Sequence, residues 1–139
     1  MDIPSYVYTM DAKEFSQNAP TVVEDQPATD AVAAMGRGGL NVVFVTKKDS
    51  PELLGIITPC DLAKISTART AKDLATIKDV VALRYDAKLW QLLRLLNGEN
   101  SLKRQFNRIP LVDESQRLVG VVTREKLNQR MRELDAGAK

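Results

Sequence analysis

Four short patterns in this 139-residue chain each occur twice, in the same order. Asp11-Ala-Lys-Glu-Phe15 matches Thr70-Ala-Lys-Asp-Leu74. Asp25 followed by Ala28, Ala31, Val32 and Met35 matches Asp86 followed by Leu89, Leu92, Leu93 and Leu96. Leu40-Asn-Val-Val-Phe-Val45 matches Phe106-Asn-Arg-Ile-Pro-Leu111, and Leu54-Gly-Ile-Ile-Thr58 matches Val119-Gly-Val-Val-Thr123. The offsets are 59, 61, 66 and 65 residues, a slow drift that marks a tandem repeat. Such a chain must fold as two similar units, so each element is expected twice.

The periodicities name those elements. A short helix near Asp11–Ser16, and again near Ala71–Ala75, precedes an extended segment at Thr21–Val23 or Val80–Leu83. The i, i+3, i+4, i+7 spacing of the second pattern predicts amphipathic helices at Pro27–Met35 and Ala87–Leu96. Gly36 and Asn97-Gly98 suit their C-terminal ends. Two β-rich strands follow in each copy: Val42–Thr46 with Leu54–Thr58, and Ile109–Val112 with Leu118–Thr123. Their connections carry Asp49-Ser50-Pro51 and Asp113-Glu114-Ser115, residues typical of turns. A last helix starts after Thr58 and after Thr123, and Ser66–Thr70 reads as the linker. Residues 11–67 form the first repeat and 68–132 the second, with 1–10 an N-terminal arm and 133–139 a tail.

Composition removes whole classes of chemistry. The chain has no histidine, which excludes Ser-His-Asp and Cys-His hydrolysis, histidine-ligated metals and imidazole acid–base work. No metal site and no cofactor are expected, and no pair of carboxylates falls in a catalytic motif, so an enzyme is not expected. A single cysteine, Cys60, forbids an intrachain disulfide and suits a reducing, cytoplasmic setting. With 20 Lys+Arg against 18 Asp+Glu the charge is nearly balanced, which argues against nucleic-acid binding. No apolar run is long enough to insert in a membrane.

At the repeated helix, strand, turn, apolar-Gly-apolar-apolar-Thr and helix, the sequence resembles the cystathionine-β-synthase (CBS) domain. The most telling pieces are Leu54-Gly-Ile-Ile-Thr-Pro-Cys-Asp-Leu62 and Asn107-Arg-Ile-Pro-Leu-Val-Asp113 with Val119-Gly-Val-Val-Thr123. Two copies look like a Bateman module over roughly residues 11–132. The resemblance implies an α+β fold of two β-α-β-β-α repeats, packed through their sheets as a pseudo-twofold pair. It also implies a regulatory role, with an adenosine-containing ligand (AMP, ADP, ATP or S-adenosylmethionine) in a cleft between repeats. Such pairs commonly form homodimers and regulate a partner protein or attached domain. The alternative is a ligand-free dimerisation module, as in the cytoplasmic piece of a transporter, chloride channel or intramembrane metalloprotease.

The site implied by the resemblance centres on Thr58-Pro59-Cys60-Asp61. There the matching Thr contacts phosphate and the matching Asp accepts from the ribose hydroxyls. An ionised carboxylate is acceptor-only and can hold two vicinal hydroxyls, and a helix N-terminus favours phosphate. Thr-x-x-Asp is equally a capping box, and both readings stand. In the second copy Thr123 is retained but Lys126 replaces the Asp, so that cleft is degenerate or takes an anion through Lys126 and Arg124. Arg108 is placed near ligand phosphates, or at a solvated strand edge. Val22, Asn41, Val42 and Val43 are carried over as adenine contacts, against the plain reading of apolar strand residues as core.

Other features fit ordinary structure. Gly36-Arg-Gly-Gly39 lacks the ending of a phosphate-binding loop and reads as a helix stop. Trp90 reads as core or interface rim, and Cys60 as a small semi-buried residue. The charges of Arg124–Arg132 read as a solvated helix face. Tyr6-Val7-Tyr8 is an extended arm or a frayed end. The extra residues Gly98–Gln105 of the second copy are a longer exposed loop or a contact surface.

Overall fold

The computed structural model describes residues 3–78, 80–100, 102–103 and 105–137. Parts of the N-terminal arm, the tail and the 98–105 insertion, including Arg104, lie outside the described residues. The chain begins with α1 (Tyr6–Thr9) and a 3-10 turn, Ala12–Phe15. The first repeat continues with β1 (Thr21–Val23), α2 (Ala28–Gly38), β2 (Val43–Thr46), β3 (Leu53–Ile57) and a 3-10 turn, Pro59–Lys64. The second runs α3 (Ala71–Leu74), β4 (Leu83–Arg84), α4 (Leu89–Leu96), β5 (Arg108–Val112), β6 (Leu118–Thr123) and α5 (Arg124–Asp135). Each repeat builds a three-stranded sheet, in the orders β1-β2-β3 and β4-β5-β6. The fold is thus the expected α+β architecture, repeated.

Local details differ from the sequence expectation. The first amphipathic helix does not stop at Gly36; it runs to Gly38 and ends on Gly39, which takes the left-handed conformation at φ +69°. Only a residue without a Cβ adopts that geometry freely, so the helix stops at Gly39 rather than Gly36. The helix expected after Thr58 is a six-residue 3-10 turn, whereas its counterpart after Thr123 is a full α-helix. Tyr6-Val7-Tyr8 is helical, with Val7 buried. The Tyr6 hydroxyl donates to Asp135 at 2.6 Å, and burial with that carboxylate beside it pushes the phenol up to about 12. Cys60 is exposed, as is Trp90, over which the Arg94 guanidinium lies at 5.9 Å.

Two compact units divide the chain otherwise than the repeats do. One comprises residues 19–80 with 114–118; the other comprises 1–18, 81–113 and 119–139. The lead segment of each repeat therefore packs with the strands of the other repeat. In the 19–80 unit, the backbones of Ile56 and Thr76 exchange hydrogen bonds at 3.0 and 2.8 Å. In the other unit Gln17 and Val121 exchange two at 2.9 Å. These pairings explain the repeated apolar-Gly-apolar signature. A Cβ on Gly55 would sit 2.8 Å from the Thr76 carbonyl oxygen, and one on Gly120 would sit 3.2 Å from that of Gln17. Glycine lets the lead segment approach the strand.

The cores are built from different residues. In the 19–80 unit, parallel β1-β2 pairing and antiparallel β2-β3 pairing set Val22, Val43, Val45 and Ile57 against one helix face. That face is small: Ala28, Ala31 and Ala34, with Met35. Val32, expected on it, is exposed, and Ala34 takes its place. The other unit packs Leu89, Leu92 and Leu96 of α4 against Phe15, Ile109, Leu111, Val122 and Leu127. Each fully buried Leu there contributes about 1.5–3 kcal/mol, well beyond what an alanine methyl provides.

Candidate functional site

The Thr58–Asp61 segment turns sharply off β3. Thr58 is extended (φ −118°, ψ 170°), and Pro59 at the first position of the turn has its φ already fixed for it. The turn brings the Asp61 carboxylate back over Thr58. Its Oδ2 accepts from the Thr58 N–H at 2.9 Å and the Thr58 hydroxyl at 3.2 Å. Its Oδ1 accepts from the Thr76 hydroxyl at 2.8 Å and lies 3.4 Å from the Lys64 ammonium. Asp61 is only 7% exposed. Burial alone pushes its pKa up, but the Thr58 N–H, the Thr76 hydroxyl and Lys64 together outweigh it and hold the group below its ordinary 3.8. Asp61 is therefore an ionised, buried acceptor at neutral pH.

These contacts make the capping interaction real: the carboxylate reaches back to the backbone of the residue that starts the turn. They also match the roughly four acceptor positions of a carboxylate. Lys64 is the weakest of the four partners, at the longest distance and with a side chain 47% exposed. A ligand hydroxyl would replace it most readily. The turn is six residues of 3-10 geometry, shorter than the full helix N-terminus expected to favour phosphate. The hydroxyls of Thr58 and Thr76 are the polar groups that flank the carboxylate. Lys64, three residues along, was within reach of sequence reasoning; Thr76, fifteen residues away in a lead segment, carried no signal.

The remaining candidates fall into two groups. Val22 and Val43 belong to the core of the 19–80 unit, with Val43 opposite Ile57, the residue just before Thr58. Val42 is buried but outside that core cluster, and Asn41 is exposed at φ +61°, a conformation that Asn tolerates better than most residues. Arg108 and Thr123 lie in the other unit. Thr123 is buried and caps α5, its hydroxyl accepting from the Lys126 N–H at 3.2 Å. Arg108 opens β5 half-buried, and its Nε is buried with no hydrogen-bond partner among the described residues. A guanidinium nitrogen out of water without an acceptor is costly.

The second-repeat segment is different in kind. The Lys126 ammonium donates to the Ser16 carbonyl at 3.4 Å, where the first repeat has a carboxylate on Thr76. Arg124, expected on a solvated face, instead turns its guanidinium onto the carbonyls of Leu96 and Phe106. Its Nη1 and Nη2 are thus engaged within the chain. Among the described residues no group of three or more Cys, Asp or Glu side chains could hold a metal ion. No helix among them is long and apolar enough to cross a membrane.

Comparison with known proteins places the architecture. The family model of the CBS domain matches residues 12–67 and again 71–133. A curated inosine-5'-monophosphate dehydrogenase from Methanocaldococcus jannaschii is 30% identical over 104 residues, 74% of this chain. The match spans only 20% of that enzyme. Among solved structures, Staphylococcus aureus OpuCA superposes with a TM-score of 0.72 at 25% identity, covering 86% of this chain and 97% of that one. CBSX2 from Arabidopsis thaliana, solved in complex with AMP, gives 0.74 at 20% identity, covering 90% and 98%.

Proposed function

The chain belongs to the CBS domain family, and on that premise we propose that it is a regulatory module sensing an adenosine-containing ligand through Asp61. The observation that carries this reading is the buried, ionised Asp61 carboxylate, flanked by two threonine hydroxyls and one displaceable lysine. Such a group suits a ribose hydroxyl, which can take the position Lys64 holds, since an ionised carboxylate accepts and does not donate. Arg108, which lies in the other unit, is a permanently charged donor suited to an anionic group. That CBSX2 was solved with AMP supports this class. The module acts as a homodimer beside, or attached to, a protein whose activity it modulates. Only a difference in ligand affinity between two states can transmit the signal, and about 1–3 kcal/mol is typical of such coupling.

Calorimetric titration with AMP, ADP, ATP and S-adenosylmethionine tests the assignment. Asp61→Ala removes charge-assisted hydrogen bonds and weakens binding about tenfold or more. Lys64→Ala, by contrast, frees an acceptor position and leaves affinity unchanged or raised. Equal binding by wild type and Asp61→Ala places the site elsewhere. One observation favours a ligand-free dimerisation module instead: all four acceptor positions of Asp61 are already met within the chain. A dimer by light scattering with no heat from any of the four ligands establishes that second reading.

A further inference from the structure

Asp61 and Thr76 come from different repeats but lie in one compact unit, residues 19–80 with 114–118. The Thr76 hydroxyl donates to Asp61 Oδ1 at 2.8 Å, the shortest hydrogen bond that carboxylate accepts. Thr76 is otherwise exposed, so its side chain does not serve to fill the core. Its backbone is anchored twice on β3: the N–H donates to the Ile56 carbonyl at 2.8 Å, and the carbonyl accepts from the Ile56 N–H at 3.0 Å. Leu74 and Ala75, just before it, are buried in the core of the same unit. Gly55 leaves room for this close approach, since a Cβ there would sit 2.8 Å from the Thr76 carbonyl oxygen. A β-branched side chain on that backbone is stiff at χ1, so the hydroxyl is held where Asp61 receives it. In the other unit Gln17 makes the same backbone exchange with Val121 and so stands in the place of Thr76. There Lys126 replaces Asp61. The carboxylate and the hydroxyl that serves it are present together in one unit and absent together from the other.

We infer that Thr76 is a positioning residue for Asp61: it fixes the plane of the carboxylate, so that Oδ1 keeps one acceptor position turned to a ligand hydroxyl. This rests on the reading of Asp61 as the ligand-binding group. The torsion that turns a carboxylate about its bond to Cβ is broad, so the side chain's own preference does not set that plane. Thr58 holds only Oδ2. Oδ1 is held by Thr76 and Lys64, and Lys64 is the partner a ligand hydroxyl replaces. Once it is replaced, Thr76 is the one of these donors that still holds Oδ1. Thr76 touches no ligand in this scheme. Its effect is on the preference for a nucleotide that carries ribose hydroxyls over one that does not.

The test compares AMP with 2′,3′-dideoxy-AMP by calorimetry, in wild type, Asp61→Ala, Thr76→Val and the double variant. Asp61→Ala lowers the preference for AMP about tenfold. Thr76→Val, which keeps the β-branch and the backbone pairing, lowers it about threefold or more. The double variant is no worse than Asp61→Ala, because Thr76 acts through Asp61. Thr76→Ser keeps the hydroxyl and most of the preference. Thr76→Ala shows the same loss as Thr76→Val and serves if the valine variant does not fold. A purely structural role would weaken both nucleotides alike. An equal loss for both, no loss, or a serine variant as impaired as the valine one overturns the positioning role while leaving Asp61 in place. If Asp61→Ala itself leaves the preference unchanged, or wild type binds neither nucleotide, the reading of Asp61 fails and the positioning role with it.

Discussion

The segments Thr58–Asp61 and Thr123–Lys126 occupy the same place in the two repeats, yet they hold opposite charges. In the first, a carboxylate gathers donors from Thr58, Thr76 and Lys64. In the second, an ammonium lies against the Ser16 carbonyl, and the neighbouring Arg124 reaches back to α4. The supporting structure differs as well. The first turn is a short 3-10 segment and the second a twelve-residue helix. The first unit has an alanine-faced helix in its core, the second a leucine-faced one. The repeat thus preserves the topology while one copy gathers donors on a carboxylate and the other devotes the same positions to holding its own backbone.

Four substitutions and one titration sharpen or break that contrast. The largest effect is expected in the leucine core: Leu92→Ala lowers stability by about 2–5 kcal/mol. Ala31→Gly at an equally buried position of α2 costs only about 1 kcal/mol, chiefly backbone entropy. Urea denaturation reads both, and similar losses would mean the cores are not different in kind. The shared glycines come next. Gly55→Ala forces a methyl to 2.8 Å from a backbone oxygen and costs about 1–3 kcal/mol. Gly120→Ala meets a looser 3.2 Å contact and costs less; a reversed order in thermal denaturation would contradict the packing account.

The smallest effect is a pH dependence. Because the folded pKa of Asp61 lies below its ordinary 3.8, its stabilisation is complete above that value and is lost as pH falls through the folded pKa. Acid denaturation of wild type and Asp61→Asn should therefore converge in that window. Lys126→Ala, which keeps the Asp61 carboxylate, leaves the acid limb unchanged. A parallel offset between wild type and Asp61→Asn across the acid range would show that the shift is not there.

The sequence made the short-range features visible. Helix periodicity, the two strand pairs and the Thr-x-x-Asp turn all depend on residues within a few positions of one another. Gly55 stood out as part of a repeated pattern, but its cause is a carbonyl at Thr76, supplied by a lead segment that packs with the other repeat's strands. For the same reason Thr76 was invisible as a partner of Asp61. Arg124 was misread because its acceptors lie 18 and 28 residues upstream; from sequence it was one more charge on a polar helix. Val32 lost its place to Ala34 because the face of α2 that meets the core is set by what packs on it, including Ala71, Leu74 and Ala75 from the second repeat's lead segment, which no single-helix pattern records.

The contrast between the repeats comes down to whether Asp61 binds ligand, and thermal unfolding with AMP tests that most directly. At about a hundred times its dissociation constant a ligand stabilises the folded chain by roughly 2.7 kcal/mol. The expected result is a rise in melting temperature for wild type and for Lys126→Ala, and a rise about half as large or less for Asp61→Asn. A rise undiminished in Asp61→Asn but lost in Lys126→Ala would contradict the account and move the ligand to the second repeat.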